Sequence, residues 1–213
     1  MVEMKVLLPV AIATLALLVS IVSLYVSKLR PGKLKLTAGE HVAISHQPEG
    51  PVNFILPVNF SNAGSNYLTV DRVALLFQQR GNPEGYLLEP AFYLTLAESG
   101  SFTYESLSVP ITIFGGENVT KQIMFNSSAE RPAEFQMTKA GTYDLFLLAW
   151  IHGSPQPCVS DDFSIVVSEA HAATLVKYIG EKSLNSVKLP QSKWRSWDAH
   201  YCKAIEVDNI KKS

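Results

Sequence analysis

The two cysteines and two of the five histidines are the residues that could together support metal or redox chemistry in this 213-residue chain. They are Cys158, Cys202, His152 and His200. Thiolate and imidazole groups are common zinc ligands, but their spacing here does not follow a zinc-binding pattern, so we predict no metal site. The other use of the two thiols is a Cys158–Cys202 disulfide, which requires an oxidising compartment.

Acidic, hydroxyl and glycine residues that could serve catalysis lack their usual partners. Asp161 and Asp162 are adjacent acids without a base that can be located, and they are interpreted as solvating a turn. Ser154 lacks the strained-turn context of a serine nucleophile. Gly115-Gly116 is too short to cradle a phosphate and precedes a predicted strand. The sequence therefore predicts a non-enzymatic protein with no catalytic residue, no cofactor and no identifiable small-molecule substrate. An enzyme with an unrecognised site is an alternative.

Four cations lie close together after an apolar N-terminal run: Lys28, Arg30, Lys33 and Lys35. The formal net charge of the whole chain is -1, so no general basic excess favours nucleic acid as a partner. A local cluster beside an apolar segment suits contact with acidic lipid headgroups. The simpler interpretation is that these cations set the orientation of a membrane helix.

The apolar run extends from Val6 to Val26 without a charged residue. About 20 helical residues cross the hydrocarbon core of a bilayer, so this run is long enough for a transmembrane helix. A secretory signal has a shorter apolar region, roughly 7–15 residues, with a cleavage site after it, whereas Lys28 and Arg30 follow this run directly. We therefore predict an uncleaved single-pass anchor, with the lipid bilayer as a partner.

Small residues fall along one seam of the predicted anchor: Ala13, Ala16, Ser20, Ser23 and Ser27. Spacings of three and four residues place them on the same side of a helix. Small seams let membrane helices approach closely, which favours pairing of the anchor with itself or with another membrane protein. Alanine and serine are also simply common in anchors, and the alternative is that the seam has no partner.

Two opposed arguments bear on the side of the membrane that carries the soluble part. Cations after the run outnumber those before it, where Lys5 and the α-amine lie, and the positive-inside rule then places the soluble part in the cytoplasm. Sandwich domains behind an N-terminal anchor are often extracytoplasmic, which is an analogy at the level of the fold. The sequence leaves both locations open.

Alternating apolar and polar residues from residue 33 to residue 168 predict a series of strands separated by Gly, Pro and Asn turns. Such a series is typical of two packed antiparallel sheets. The clearest strand, Thr142–His152, is apolar on both faces and is therefore expected to be central or covered on both sides. In the predicted strand Tyr67–Gln79 the apolar phase shifts, which predicts a bulge near Asp71.

Two features near the end of the strand series predict local structure. The segment from Lys139 to Tyr143 resembles the tyrosine-corner entry to a late strand, in which the phenol bonds back to the backbone; a plain core tyrosine is the alternative. Ser168 is suited to cap a following helix that has an apolar stripe. We predict three parts: an anchor at residues 1–30, a sandwich at 31–168, and a helix with an aromatic tail at 169–213.

The predicted tail combines aromatic residues with cations. Trp194, Trp197 and Tyr201 lie among Lys193 and Arg195. Such a segment could lie at a membrane interface or dock on a partner. The alternative is that its aromatic side chains cap an open end of the sandwich.

Two segments carry a resemblance to a known class of protein. They are FILPVNFSNAGSNYLTVDRVALLF (Phe54–Phe77) and GTYDLFLLAW (Gly141–Trp150), which resemble strands of immunoglobulin-like domains in uncharacterised membrane-anchored microbial proteins. The resemblance implies a mainly β fold: an N-terminal transmembrane helix, an immunoglobulin-like antiparallel β-sandwich and a short C-terminal helix. That class has no established activity, so the resemblance implies no site residue. The predicted function is a membrane-tethered interaction or scaffolding module, with an accessory subunit of a larger membrane complex as the alternative.

Overall fold

The uncharged apolar run that starts at Val6 makes up most of the N-terminal helix α1 (Val2–Leu24), which passes directly into a π-helical turn at Tyr25–Leu29. None of the 22 residues of Leu8–Leu29 is buried against the rest of the protein. By length and composition, and within the described residues, this is one helix that could cross a membrane.

The structure is a computed structural model that describes residues 2–46, 52–82, 85–97, 102–108, 110–126, 137–181 and 185–192. Within these ranges, residues 2–7, 159, 160 and 192 are described for the backbone alone. In the described ranges, eleven strands and a second helix follow the N-terminal helix: β1 (Leu34–Ala38), β2 (His41–His46), β3 (Val52–Asn62), β4 (Leu68–Gln79), β5 (Gly85–Leu96), β6 (Phe102–Leu107), β7 (Ile111–Ile113), β8 (Asn118–Asn126), β9 (Gly141–Ile151), β10 (Val159–Val167), α2 (Glu169–Gly180) and β11 (Ser186–Ser192).

Eight strands form a closed hydrogen-bonded circuit in the order β5-β8-β3-β2-β11-β10-β9-β4, with β4 pairing back to β5. β5 closes the circuit because its first part pairs with β4 and its second part pairs with β8. β1, β6 and β7 attach to β3, β5 and β4 outside the circuit. All of these pairings are antiparallel, so the predicted mainly β sandwich with an apolar N-terminal helix and a short C-terminal helix is confirmed.

One hydrophobic core fills the space inside the circuit, and aromatic rings pack within it. Phe77 packs against Phe54 and Tyr143, with ring centroids 5.2 and 5.1 Å away. On β9, Tyr143 faces this core, whereas Leu148 and Trp150 lie on the outer face of the sheet and are also buried. The prediction that this strand is central and apolar on both faces is therefore confirmed.

Three local predictions are also confirmed. The Tyr143 hydroxyl donates to the Lys139 carbonyl at 2.8 Å, as the tyrosine-corner interpretation requires. Ser168 caps α2 by accepting a hydrogen bond from a backbone N–H of the first turn. The register between β4 and β9 shifts at Asp71, which forms the predicted bulge.

Three other parts of the chain differ from the sequence interpretation. β6 was not predicted, because its side chains are mostly exposed and give no alternating apolar pattern. β11 follows α2 and inserts between β2 and β10, where only a tail was expected. Asp161 and Asp162 lie within β10 and do not solvate a turn: Asp161 Oδ2 accepts a hydrogen bond from the Ala38 N–H at 2.7 Å.

His46, the last residue of β2, is buried with 2% of its surface exposed. Neither of its ring nitrogens has a hydrogen-bond partner within the described ranges. Burial lowers its pKa from 6.5 to about 4, because the charged imidazolium would lose its hydration. The ring is therefore neutral at physiological pH.

Candidate functional site at the helix-proximal end

Three chain segments meet where the N-terminal helix joins the sandwich: Pro31–Lys33, Asn62–Leu68 and Ile113–Glu117. We call this surface the helix-proximal end. Glycine permits the close approach, since a Cβ on Gly64 would lie 2.0 Å from the Pro31 carbonyl oxygen. A Cβ on Gly115 would lie 2.1 Å from the Ser65 carbonyl oxygen. Backbone therefore packs directly on backbone at this joint.

Asn62 is a buried amide that ties the three segments together. Its Oδ1 accepts hydrogen bonds from the N–H groups of Lys33 at 3.0 Å and Gly64 at 2.9 Å. Its Nδ2 donates to the carbonyls of Asn66 at 2.7 Å and Ile113 at 3.2 Å. A buried amide with both its oxygen and its nitrogen doubly bonded fixes the geometry of the loops around it.

The end of the helix is hydrogen-bonded to the same loop. The Arg30 carbonyl accepts from the N–H groups of Ser65 at 3.0 Å and Asn66 at 3.2 Å. The Ser65 hydroxyl donates to the carbonyl of Val26 in the π-helical turn. The helix thus enters the sandwich through a fixed joint and not through a flexible linker.

The four predicted headgroup-contacting cations are exposed around this joint. Lys28 lies in the π-helical turn and Arg30 caps it. Lys33 precedes β1 directly, whereas Lys35 lies two residues further along, about 7 Å away from the joint along the strand. The structure therefore places Lys28, Arg30 and Lys33 beside the helix end and sets Lys35 further back.

Two exposed aromatic residues, Tyr67 and Phe114, belong to the same end and were missed from the sequence. Tyr67 ends the loop that binds Arg30, and Phe114 begins the turn whose Gly115 packs on Ser65. They are far apart in sequence, so only the fold brings them to one surface. The available signal was a bulky apolar residue directly beside a Gly- or Asn-rich turn.

The predicted small-residue seam lies on the exposed surface of the helix. The hydroxyls of Ser20 and Ser27 donate to carbonyls of their own helix, at Ala16 (2.8 Å) and Leu24 (3.5 Å). Their donors are thus satisfied within the helix, and close packing is the contribution left to the seam. The wider π-helical turn rotates Ser27 relative to the other seam residues.

An open cleft of about 220 Å³ lies beside the bulge in β4. It is lined by Val70, Asp71, Arg72, Val73, Glu89, Pro90, Tyr93 and Ser108. Arg72 forms an ion pair with Glu89 and lies over the Trp150 ring, 4.8 Å from its centroid. Asp71 contacts His152, with 2.8 Å between Oδ2 and Nδ1. Each charged group that lines the cleft thus already has a partner: Arg72 and Glu89 pair with each other, and Asp71 pairs with His152 outside the cleft.

The candidate disulfide is not tested by the structure. Cys158 is exposed, and its thiol lies 3.6 Å from the Gln156 carbonyl. Cys202, His200 and the tail aromatics lie outside the described residues, so the bridge stays a prediction. Within the described ranges, no three His, Cys, Asp or Glu side chains are grouped in a way that could hold a metal ion.

No protein-family model and no curated protein matches the chain. Solved structures overlap with it loosely. One is an uncharacterised β-sandwich protein from Clostridium difficile 630, with 15% identity and a TM-score of 0.33 over 57% of this chain and 82% of that one. Another is a proposed lipoprotein, ycdA, from Bacillus subtilis, with 16% identity and a TM-score of 0.39 over 71% of this chain and 42% of that one. Overlaps this loose carry no information on activity or partners.

Proposed function

We propose that the chain is a single-pass membrane protein whose sandwich serves as a non-enzymatic interaction module held at the bilayer surface. The observation that carries the proposal is the joint: an apolar helix with no buried residue is hydrogen-bonded directly to the sandwich. Exposing such an apolar helix to water is unfavourable, and a lipid bilayer can bury a helix of this length.

The hydrogen bonds at the joint favour retention of the helix over its removal as a secretory signal. Ser65 and Asn66 bond to Arg30, and Asn62 bonds to Lys33. A signal peptide that is cleaved off does not need specific hydrogen bonds to the mature domain. The fixed joint also implies that the helix-proximal end faces the headgroups in one orientation.

The side chains around the joint suit a headgroup layer. Lys28, Arg30 and Lys33 supply cations for acidic lipids. Tyr67 and Phe114 supply exposed aromatic rings, which favour the interface between water and hydrocarbon. The combination supports contact between this end of the sandwich and the bilayer.

The non-enzymatic part of the proposal rests on how the charged side chains are used. Arg80 binds Asp144, with 3.1 Å between Nε and Oδ2, and Lys121 pairs with Glu105. These ion pairs are spread over the surface, and in the cleft Arg72 and Glu89 neutralise each other. A catalytic site would instead bring polar groups together on a reacting atom.

The membrane part is tested by alkaline carbonate extraction of the full chain, followed by mass measurement of its N-terminus. We expect the protein to stay in the membrane pellet with residues 1–30 intact. Replacing Leu15 and Leu18 by Arg should release it, since each central Arg costs about 2.5–3.5 kcal/mol of insertion free energy. The matched control replaces both by Phe and should stay in the pellet. Release of the unmodified chain, or a mature chain that lacks the helix, would contradict the proposal.

A second candidate function, an accessory subunit of a larger membrane complex, is favoured by the small-residue seam on the exposed helix. Native electrophoresis after mild solubilisation distinguishes the two, because a subunit migrates in a discrete large complex. Replacing Ala16 and Ser20 by Leu should then disperse that complex, while Leu17→Ile on the same helix should not. A monomer in both cases would argue against the subunit role and leave the tethered module standing.

The side of the membrane is measurable through Cys158, which is exposed. In a Cys202→Ser variant, a membrane-impermeant thiol reagent should label intact cells if the sandwich is outside. Labelling only after lysis places the sandwich in the cytoplasm, as the charge rule predicts.

A further inference from the structure

The outer face of β1, β3 and β8 carries two polar rows that run across the three strands. Leu36 and Phe60 alternate with these residues along β1 and β3 and point into the core, so the polar side chains point outward. All six are exposed or half-buried. They are Lys35, Ser61 and Asn118 in the first row, and Thr37, Asn59 and Thr120 in the second. We call this surface the polar platform.

The polar platform begins at the joint with the N-terminal helix. Ser61 directly precedes Asn62, whose amide binds the loops of the joint, and Asn118 follows the turn that contains Gly115. The second row lies two residues further along each strand, which is about 7 Å. Neighbouring strands lie about 4.8 Å apart, so each row is about 10 Å wide. A ligand on the platform would therefore lie next to the layer that the helix enters.

The charge of this region is positive. Lys33 and Lys35 are exposed, and neither belongs to an ion pair within the described ranges. The acid next to the first row, Glu117, turns back on its own turn and accepts a backbone N–H there at 3.0 Å. Asp161 on the neighbouring strand β10 is bound to the Ala38 N–H at 2.7 Å. The cations at the edge of the platform are therefore free to bind an anion.

The amides and hydroxyls of the platform can both donate and accept hydrogen bonds. Asn59 Nδ2 donates to Thr120 Oγ1 at 3.1 Å, which holds these two side chains next to each other. The amide oxygen of Asn59 and the hydroxyl hydrogen of Thr120 remain available to a ligand. Hydroxyl groups on a sugar or polyol ring also donate and accept, and such a ring is wide enough to contact both rows. The platform therefore suits a ligand that combines a polyol with a negative charge.

We infer that the polar platform binds the headgroup of an acidic phospholipid that carries a polyol, such as phosphatidylinositol. The lipid phosphate lies beside Lys33 and the cations of the helix end, and the polyol lies on the two rows. A lipid is favoured over a soluble sugar because the platform starts at the joint, where the proposed membrane span places the headgroups. The inference rests on the proposed function and goes beyond it by naming the class of lipid.

The first experiment compares two lipids that have the same net charge. The full chain is reconstituted into phosphatidylcholine nanodiscs that contain equal amounts of phosphatidylinositol and phosphatidylserine. It is then transferred to a mild detergent, and native mass spectrometry measures which lipids stay bound. We expect several-fold more phosphatidylinositol than phosphatidylserine. Equal retention of the two lipids would mean that charge alone attracts them and would overturn the inference, as would retention of neither.

The second experiment removes hydroxyls from the platform and keeps every charge. In S61A/T120V the preference for phosphatidylinositol should be lost, while the amount of bound phosphatidylserine stays the same. The matched control is T69V/T112V, which removes another pair of strand hydroxyls, 3.2 Å apart, outside the platform. Far-UV circular dichroism checks that both variants keep the fold. An unchanged preference in S61A/T120V, or an equal loss in the two variants, would overturn the inference.

The third experiment tests the cation and the source of the ligand. Lys35→Gln should lower the bound phosphatidylinositol several-fold, whereas Lys188→Gln, at an exposed position on β11, should not. An equal effect of both would overturn the inference, and so would binding of free myo-inositol as tight as that of the lipid. Carbonate extraction reports separately whether the membrane holds the chain. A chain that stays in the membrane pellet without a lipid preference therefore overturns this inference and leaves the proposed function standing.

Discussion

The two ends of the sandwich are held together in different ways. At the helix-proximal end, backbone packs on backbone through Gly64 and Gly115, and the amide of Asn62 binds the loops. The opposite end is closed by side chains: His46 is buried there, and Tyr143 stacks on Phe77. At the first end, Gly64 and Gly115 have no room for an added Cβ, whereas the second end is sensitive to lost packing and to charge. We therefore expect the helix-proximal end to keep a fixed geometry and the opposite end to respond to pH.

The largest effect is expected from Gly64→Ala at the helix-proximal end. The new Cβ would lie 2.0 Å from the Pro31 carbonyl, so the joint must shift or the loop must open. We expect a loss of about 4 kcal/mol in the free energy of unfolding, measured by urea denaturation of the detergent-solubilised chain. Gly180→Ala is the matched control, because a Cβ there meets nothing within 4 Å. An equal effect of both substitutions would remove the contrast between the two ends.

The next largest effect concerns His46 at the opposite end. Its pKa falls from 6.5 in the unfolded chain to about 4 in the fold, so the unfolded state takes up the proton first as the pH drops. The stabilisation is complete above pH 6.5 and is lost progressively toward pH 4, by about 3 kcal/mol. His46→Leu replaces the imidazole by an apolar side chain of similar size that does not titrate, so the variant should lack this part of the pH dependence. Parallel stability curves for the two proteins between pH 7 and 4 would show that His46 is not buried as described.

A smaller loss is expected from Tyr143→Phe. The substitution removes the hydrogen bond to the Lys139 carbonyl but keeps the ring on Phe77. The free energy of unfolding should fall by about 1 kcal/mol, measured by chemical denaturation. Tyr104→Phe, at an exposed position on β6, is the control and should have no measurable effect. A loss of several kcal/mol for Tyr143→Phe would mean that the hydroxyl does more than close the corner.

The smallest effect is expected from His152→Ala beside the cleft. The imidazole contacts Asp71, but its side chain is 79% exposed, so solvent screens the pair. The free energy of unfolding at pH 7 should change by less than about 0.5 kcal/mol. A larger change in thermal or chemical denaturation would show that the bulge of β4 depends on this contact, which would make the helix-proximal side sensitive to charge as well.

The elements with strong internal patterns could be predicted from the sequence. β9 alternates apolar side chains on both faces, and Ser168 marks the start of α2 with a capping hydroxyl. β6 and β11 could not be predicted in this way. Among the described residues, β6 pairs with β5 alone and exposes most of its side chains, so its sequence has no alternating apolar pattern. In β11, buried Val187 and Leu189 alternate with exposed Lys188 and Pro190, but two apolar residues are too short a pattern to predict a strand, and proline is disfavoured inside one.

The cations of the candidate site could be predicted from the sequence, but the aromatic residues that share its surface could not. Lys28 and Arg30 follow an apolar run, and that order alone marks a helix end. Tyr67 and Phe114 joined them only through the contact between two distant turns. The burial of His46 was likewise hidden, because a histidine at a strand end is more often exposed. Long-range packing decides such positions, and the local sequence does not encode it.

The closed order of the eight paired strands has a consequence for how the domain comes apart. A ladder with two free ends can fray from either end, one strand at a time. In this circuit β5 pairs with both β4 and β8, so a strand can leave only by breaking two ladders at once. We therefore expect the eight strands to melt together in a single sharp transition, with β1, β6 and β7, each attached by one ladder, as the first to loosen.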